Sequence, residues 1–167
     1  MPPPARLLIL LCALILSGCN KNSNPTNYTV GPPKLEDLLG TYVPTQRTHE
    51  LLKSTGKYPN SDSSIALNKN GSVTISNVPD WWLTSYSDAK GQFDNGSGTW
   101  TLEKNKEWWL IVLSFTTQHG QFTTSVPGRG HITAMLSLVG QKPPYILQMS
   151  ITDPNADVAM QYQKVKE

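Results

Sequence analysis

Cysteine is nearly absent from this chain, and neither cysteine lies where a folded domain would use it. The 167 residues contain two cysteines, Cys12 and Cys19, both within the first nineteen positions. A disulfide within the rest of the chain is therefore excluded. A folded domain there must be stabilised by the packing of its core.

An excess of charge of one sign is also missing. The chain has 14 Lys and Arg residues against 12 Asp and Glu residues, a net charge of +2. Binding to nucleic acid needs positive charge clustered on one surface. We therefore expect no nucleic-acid partner.

No apolar run is long enough to cross a membrane as a helix. The longest, residues 7–16, has ten apolar residues. As a helix it would extend about 15 Å, roughly half of a bilayer's hydrocarbon core. Arg6 precedes this run and the small residues Ser17 and Gly18 follow it. This order is typical of a secretory signal peptide that is removed, here residues 1–18.

A cysteine follows the small residues directly. Leu16-Ser17-Gly18-Cys19 resembles the lipobox of bacterial prolipoproteins. The resemblance covers residues 1–19 and implies cleavage before Cys19, a diacylglycerol on its sulfur and often a third acyl chain on its amine. Two or three acyl chains make a stable anchor, so the implied partner is a membrane. The alternative is a secreted protein without lipid, with a cysteine at this place by coincidence.

The residue after the cysteine bears on which membrane holds the anchor. In Gram-negative lipoproteins an Asp at this position is the inner-membrane retention signal, and this chain has Asn20 instead. The resemblance therefore favours the outer membrane, at its periplasmic face. Without residues 1–18, the chain has 149 residues and a net charge of +1, enough for one domain.

The segment after Cys19 is polar and rich in Asn and Pro. Apart from Tyr28 and Val30, residues 20–34 offer little to bury. We expect residues 19–34 to form the lipidated cysteine and a flexible tether. A single domain is then predicted over residues 35–167.

Short apolar alternations separated by turn residues predict an all-β, mainly antiparallel domain. One short helix is expected after the first strand, over residues 48–54, with Thr48 as its N-cap and Gly56 at its end. A hairpin turn is expected at residues 68–71. The eight predicted strands cover residues 40–44, 64–68, 71–77, 98–103, 107–116, 131–139, 145–151 and 158–164.

Eight strands in sequential hairpins favour a closed up-and-down barrel, because closure removes the exposed edges of the sheet. The architecture resembles lipocalin-like and calycin-like barrels. Gly40-Thr41-Tyr42 stands where true lipocalins carry Gly-x-Trp near the first strand. The domain also looks like a small lipocalin-like bacterial lipoprotein, a resemblance that implies no particular activity.

The aperiodic stretch 78–97 is the most unusual part of the domain, since it is predicted as a long loop that contains several aromatic residues. Trp81, Trp82 and Tyr86 are candidates for a surface that binds a ligand or a partner. The alternative places a tryptophan of this pair in the core, because adjacent residues of a strand face opposite sides.

Signatures of catalysis and of metal binding are absent from the sequence. It has no Gly-x-Ser-x-Gly motif and no free cysteine after residue 19, so no catalytic residue is assigned. The histidines are scattered, and no zinc site is supported. A calcium loop at residues 153–164 is rejected, because Val158 and Lys164 replace its required Gly and Glu. No cofactor is expected.

These observations predict a lipid-anchored envelope protein that is not an enzyme and that binds an apolar small ligand or an envelope protein. A structural or accessory lipoprotein without a ligand cavity is the second possibility. A glycan-acting enzyme is the third, and would need two carboxylates facing one cleft. Its candidates are Asp80, Asp88, Asp94 and Glu103.

Overall fold

A computed structural model describes residues 27–58, 62–82, 89–116, 122–123, 131–150 and 159–166. The predicted signal peptide, Cys19 and the first part of the predicted tether lie outside these residues. The side chains of Trp81, Phe122 and Thr123 are also outside the description. No helix in the described ranges is both long and apolar enough to span a bilayer.

Nine strands and two α-helices make up the described chain. The strands are β1 (Gly40–Pro44), β2 (Ser64–Leu67), β3 (Ser72–Pro79), β4 (Phe93–Asn105), β5 (Trp108–Thr116), β6 (Phe122–Thr123), β7 (His131–Val139), β8 (Ile146–Ser150) and β9 (Ala159–Lys164). The helices are α1 (Leu35–Leu38) and α2 (Gln46–Ser54), and a 3₁₀ turn covers Asp80–Trp82.

Eight of these strands form a closed antiparallel barrel. Apart from the two-residue β6, which pairs with β4 outside the ring, each strand pairs with the next one along the chain. The ring closes where β1 pairs with β9. The predicted eight-stranded, lipocalin-like small barrel is therefore confirmed. The predicted hairpin turn at residues 68–71 is present, with Gly71 at a φ of 79°.

The barrel has two ends with different roles. We call the end with the turns 68–71, 106–107 and 140–144 the entry end, because the described chain begins there at Asn27. The opposite end, where β3, β5 and β8 finish, is the far end. Helix α1 lies at the entry end and α2 follows β1 at the far end.

The interior is filled by side chains that alternate inward along the strands. The apolar alternation of β2, β3 and β7 predicts one inward-facing set of residues on each strand, and all of them are at most 5% exposed: Ile65, Leu67, Val73, Ile75, Ile132, Ala134, Leu136 and Leu138. Among the largest fully buried side chains are Tyr42, Tyr58, Tyr162, Phe115 and Leu113. Packed aliphatic and aromatic groups of this size supply most of the free energy that favours folding.

Helix α2 begins at Gln46, directly after the threonine that caps it, and not at the predicted Thr48. The cap is Thr45, whose hydroxyl accepts the Thr48 N–H at 3.4 Å, so the prediction of Thr48 as the cap was wrong. Thr48 is buried instead, and its hydroxyl exchanges hydrogen bonds of 2.8 and 2.7 Å with the backbone of Gln161 in β9. Threonine is a favoured capping residue, so the sequence alone does not tell whether Thr45 or Thr48 is the cap. The contact of Thr48 with β9 decides between them.

The predicted long loop over residues 78–97 is shorter in the structure. Strand β3 continues to Pro79 and β4 begins at Phe93, with a shift of register between Ile75 and Val78. A β-bulge of this kind interrupts the alternation of apolar residues and so hides the strand from pattern analysis. Asn77, at a φ of 50°, lies in the bulge.

The predicted tether also ends earlier than expected. Of its last eight residues, Asn27, Tyr28 and Thr29 bond to the entry end. The Thr29 N–H donates to Leu138 O at 2.9 Å, and Thr29 O accepts the Trp109 N–H at 2.9 Å. Residues 27–29 therefore belong to the barrel domain, because their backbone groups bridge the start of β5 and the end of β7.

Gly98 marks a place where two strands approach closely. A Cβ at this position would lie 2.2 Å from Ser114 O and 2.7 Å from a ring carbon of Phe115. The carbonyl belongs to the backbone and the ring is fully buried, so neither can move away at low cost.

We expect Gly98→Ala to lower the free energy of unfolding by about 1–3 kcal/mol, measured by urea denaturation. Gly31→Ala is the matched control, since a Cβ there meets nothing within 4 Å. Equal midpoints for the two variants would show that β4 and β5 are not packed as described.

Candidate functional site

The far end of the barrel contains a group of buried polar side chains. We call this group the far-end cluster: Tyr58, Ser63, Asp80, Asp94 and Tyr162, each at most 2% exposed. It draws on four parts of the chain: the segment after α2, the residue before β2, the β3–β4 junction, and β9. Buried polar groups are costly unless they are hydrogen bonded, so their partners decide what the cluster does.

Asp80 is the centre of the cluster. Its carboxylate accepts a short hydrogen bond from the Tyr58 hydroxyl and a second, of 2.7 Å, from the Lys90 N–H. The Asp80 N–H in turn donates to Gln92 O at 2.9 Å. Hydrogen bonds to an ionised carboxylate are among the stronger ones in proteins. Asp80 therefore joins the segment after α2 to the segment that leads into β4.

Neighbouring contacts strengthen this junction. The Lys57 ammonium donates to Ala89 O at 2.9 Å. The ring of Phe93 meets the ring of Tyr58 edge to face at 5.6 Å. The same two segments are thus joined by a charged hydrogen bond, a cation on a carbonyl and an aromatic pair. These contacts hold the segment after α2 against the segment that leads into β4, at the far end of the barrel.

Tyr162 and Ser63 form a second part of the far-end cluster. Its hydroxyl lies 3.1 Å from the Ser63 hydroxyl, and its ring meets the ring of Trp82 edge to face at 5.5 Å. Burial raises the pKa of Tyr162 well above its ordinary value, and the hydrogen bond with Ser63 lowers it in part. Burial, with the nearby charge of Asp37, likewise raises the pKa of Tyr42. Both phenols therefore stay neutral at physiological pH.

Trp82 is a core residue. It is 3% exposed, and its indole N–H points to the sulfur of Met160 at 3.3 Å. This corrects its assignment to an exposed ligand or partner surface, and agrees with the alternative that places one tryptophan of the pair in the core. The side chain of Trp81 and all of Tyr86 lie outside the described residues.

The four candidate carboxylates do not form one set. Asp80 and Asp94 lie together at the far end, whereas Glu103 is exposed nine residues further along β4. At about 3.3 Å per residue, that separation from Asp94 is on the order of 30 Å. Glu103 therefore cannot share a cleft with the other two, and Asp88 lies outside the described residues. The hydrogen bonds from Tyr58 and Lys90 bind the Asp80 carboxylate into the wall of the barrel rather than leaving it in an open cleft.

The entry end holds a second group, which the sequence patterns missed. Tyr28 stacks on Trp108 with ring centroids 4.9 Å apart. The Gln141 amide donates to Asn27 Oδ1 and to Tyr28 O, at 2.9 and 2.7 Å. The Thr29 hydroxyl donates to Gly140 O. The one signal for this contact was Tyr28, a large aromatic residue in an otherwise polar segment.

No group of three His, Cys, Asp or Glu side chains suited to a metal ion occurs within the described ranges. The first half of the rejected calcium loop, residues 153–158, lies outside those ranges, and its second half belongs to β9.

The bond between Tyr58 and Asp80 gives a test of the far-end cluster. We expect Tyr58→Phe to lower the free energy of unfolding by about 1.5–3 kcal/mol, because it leaves a buried carboxylate short of one donor. Asp80→Asn should cost a similar amount. The double variant should cost less than the sum of the two, as a double-mutant cycle in urea measures.

Tyr145→Phe is the control, since Tyr145 is buried but has no hydroxyl partner among the residues that the structure describes. It should change the unfolding free energy by less than about 0.5 kcal/mol. Additive costs for Tyr58 and Asp80 would contradict the junction described above.

Comparison with known proteins adds no functional assignment. No protein-family model matches the chain, and no curated protein or solved structure matches it. The case for a function rests on the residues of this chain and their geometry.

Proposed function

We propose that the protein is a lipid-anchored binding module of the bacterial envelope. Cys19 carries the lipid, the barrel is held near the membrane surface, and the far end is presented to a protein partner in the envelope. The observation that carries the proposal is the position of Asn27. The chain is bonded to the entry end only eight residues after Cys19.

The short connection limits where the barrel can lie. Eight residues span at most about 28 Å when fully extended. As a flexible coil they span roughly 16 Å on average. An anchor on Cys19 therefore keeps the entry end close to the bilayer, and the far end is the part of the barrel that can be presented to the periplasmic space. Asn20 favours the outer membrane as the site of the anchor.

The packed interior bears on what is bound. The barrel contains a continuous core that includes the large, fully buried rings of Tyr42, Tyr162 and Phe115. Small eight-stranded barrels are either filled by their own side chains or hold one small ligand. Filling by rings from several strands favours a protein partner over an apolar ligand inside the barrel. No catalytic role is part of this proposal.

The same packing supports a second candidate, a structural or accessory envelope lipoprotein that has no partner at the far end. Both candidates share the anchor. They differ in whether exposed far-end residues, such as Lys53 of α2 and Lys90, contact another protein in the cell.

The anchor is tested by expressing the full chain in a Gram-negative bacterium and measuring the intact mass of the purified protein. We expect cleavage after Gly18 and an added diacylglycerol with a further acyl chain. Cys19→Ser should abolish both, because the thiol is the acceptor. Cys12→Ser is the matched control and should leave both unchanged, since Cys12 is removed with the signal peptide.

A photoreactive residue at Lys53 or Lys90 in the same strain separates the two candidates. One discrete protein adduct shared by both positions, and lost with Cys19→Ser, supports the binding module. No adduct at either position supports the accessory role. An unmodified mature chain would refute the lipid anchor and with it both candidates.

A further inference from the structure

The charge of the described residues is divided unequally between the two ends of the barrel. The far end has four basic and four acidic residues, which balance: Arg47, Lys53, Lys57 and Lys90 against Glu50, Asp62, Asp80 and Asp94. The entry end has seven lysines against four carboxylates: Lys34, Lys69, Lys104, Lys106, Lys142, Lys164 and Lys166 against Glu36, Asp37, Glu103 and Glu107. The net positive charge of the described chain therefore lies at the entry end.

Three of these lysines lie next to residues that contact the incoming chain at the entry end. Lys142 follows Gln141, whose amide is bonded to Asn27. Lys104 and Lys106 lie at the turn between β4 and β5, next to Trp108, which stacks on Tyr28. All three lysines are exposed, and Glu103 and Glu107 flank the same turn. Their side chains are thus accessible to solvent at the entry end.

The stacked pair adds a second feature suited to a membrane surface. Tyr28 and Trp108 are both half-buried, so part of each ring remains accessible at the entry end. Tyrosine and tryptophan rings are apolar over their faces and polar at one edge, and they favour the headgroup region of a bilayer. Exposed lysines attract the anionic headgroups of the same surface.

We infer that the entry end lies against the membrane, with Lys104, Lys106 and Lys142 in contact with anionic phospholipid headgroups. The inference rests on the proposed lipid anchor, which brings this end to within about 28 Å of the bilayer. The anchor alone leaves the barrel free to rotate on its tether. The lysines and the stacked rings select one orientation, so that the far end points away from the membrane.

The orientation can be measured with the lipidated full chain in vesicles that carry an acceptor dye on their headgroups. Asn105→Cys places a donor dye at the entry end, and Lys53→Cys places one at the far end. In the mature protein the sulfur of Cys19 is acylated, so the engineered cysteine is the one that reacts. In vesicles of phosphatidylethanolamine and phosphatidylglycerol, we expect more energy transfer from position 105 than from position 53.

The role of charge is tested by Lys104→Gln with Lys142→Gln. Each lysine near an anionic surface contributes roughly a fivefold preference, so the pair should weaken the contact about 25-fold. Transfer from position 105 should then fall most of the way to the value seen in phosphatidylcholine vesicles, because only Lys106 of the three lysines remains. Lys53→Gln with Lys90→Gln is the matched control, with the same change of net charge, and should leave transfer unchanged.

The outcomes separate this inference from the proposed function. Equal or greater transfer from position 53, in protein that carries its acyl mass, would overturn the orientation and leave the anchor standing. Transfer that is insensitive to phosphatidylglycerol and to Lys104→Gln with Lys142→Gln would overturn the role of the lysines. Protein without acyl mass would overturn the anchor, and the orientation with it.

Discussion

The barrel depends on one pairing, between its first strand and its last. Every other pairing in the ring joins strands that follow one another along the chain, whereas Tyr42 pairs with Lys164 and Pro44 with Tyr162. These partners are about 120 residues apart, so their pairing carries the largest loop-closure cost in the fold. Without it, β1 and β9 would become free edges of an open sheet.

Several contacts on either side of the pairing offset that cost. The Val165 N–H donates to Thr41 O, and the Thr45 N–H donates to Gln161 O. The buried hydroxyl of Thr48 then ties α2 to the same residue of β9. Closure in this way gives the barrel two distinct ends. It therefore determines which residues lie beside the incoming chain and which lie far from it.

The difference between the ends is the basis of the functional argument. At the entry end, Thr29 is bonded to β5 and β7 and Asn27 is bonded to Gly140, and lysines are in excess among the described residues. Among the described residues of the far end the charges balance, and Asp80 joins the segment after α2 to the segment that leads into β4. The proposed lipid on Cys19 would act on this asymmetric body through a short connection. The sequence resemblance implies the anchor, and the fold determines which end of the barrel is nearest to it.

The sequence allowed much of this fold to be predicted, because alternation along a strand is a local property. Ile65 and Leu67 on β2 and Ile132 and Leu136 on β7 were placed inward correctly. Strand count and hairpin order then led to a closed barrel. The lipobox is also local and remains a prediction.

The features that the sequence did not reveal depend on distant contacts. Residues 93–97 were predicted as part of a loop, yet they begin β4. Gly98 was placed in a strand, but its need for a missing side chain comes from Ser114 and Phe115 of β5, which approach it closely. Thr29 lies in the predicted tether, yet its backbone bridges β5 and β7. Its hydroxyl donates to Gly140 O, 111 residues further along the chain. Aspartate is usually exposed, yet Asp80 is buried because the Tyr58 hydroxyl and the Lys90 N–H donate hydrogen bonds to its carboxylate.

The central claim is that the chain becomes part of the barrel at Asn27, so that an anchor on Cys19 must carry the entry end with it. Amide hydrogen exchange of the full chain tests this claim most directly. The N–H groups of Thr29, Trp109 and Gly140 each donate to or across this junction. The account predicts that all three are protected nearly as well as the core strands, because they open only when the barrel opens. Exchange of Thr29 at the rate of an unstructured peptide, with Trp109 and Gly140 unprotected, would contradict it.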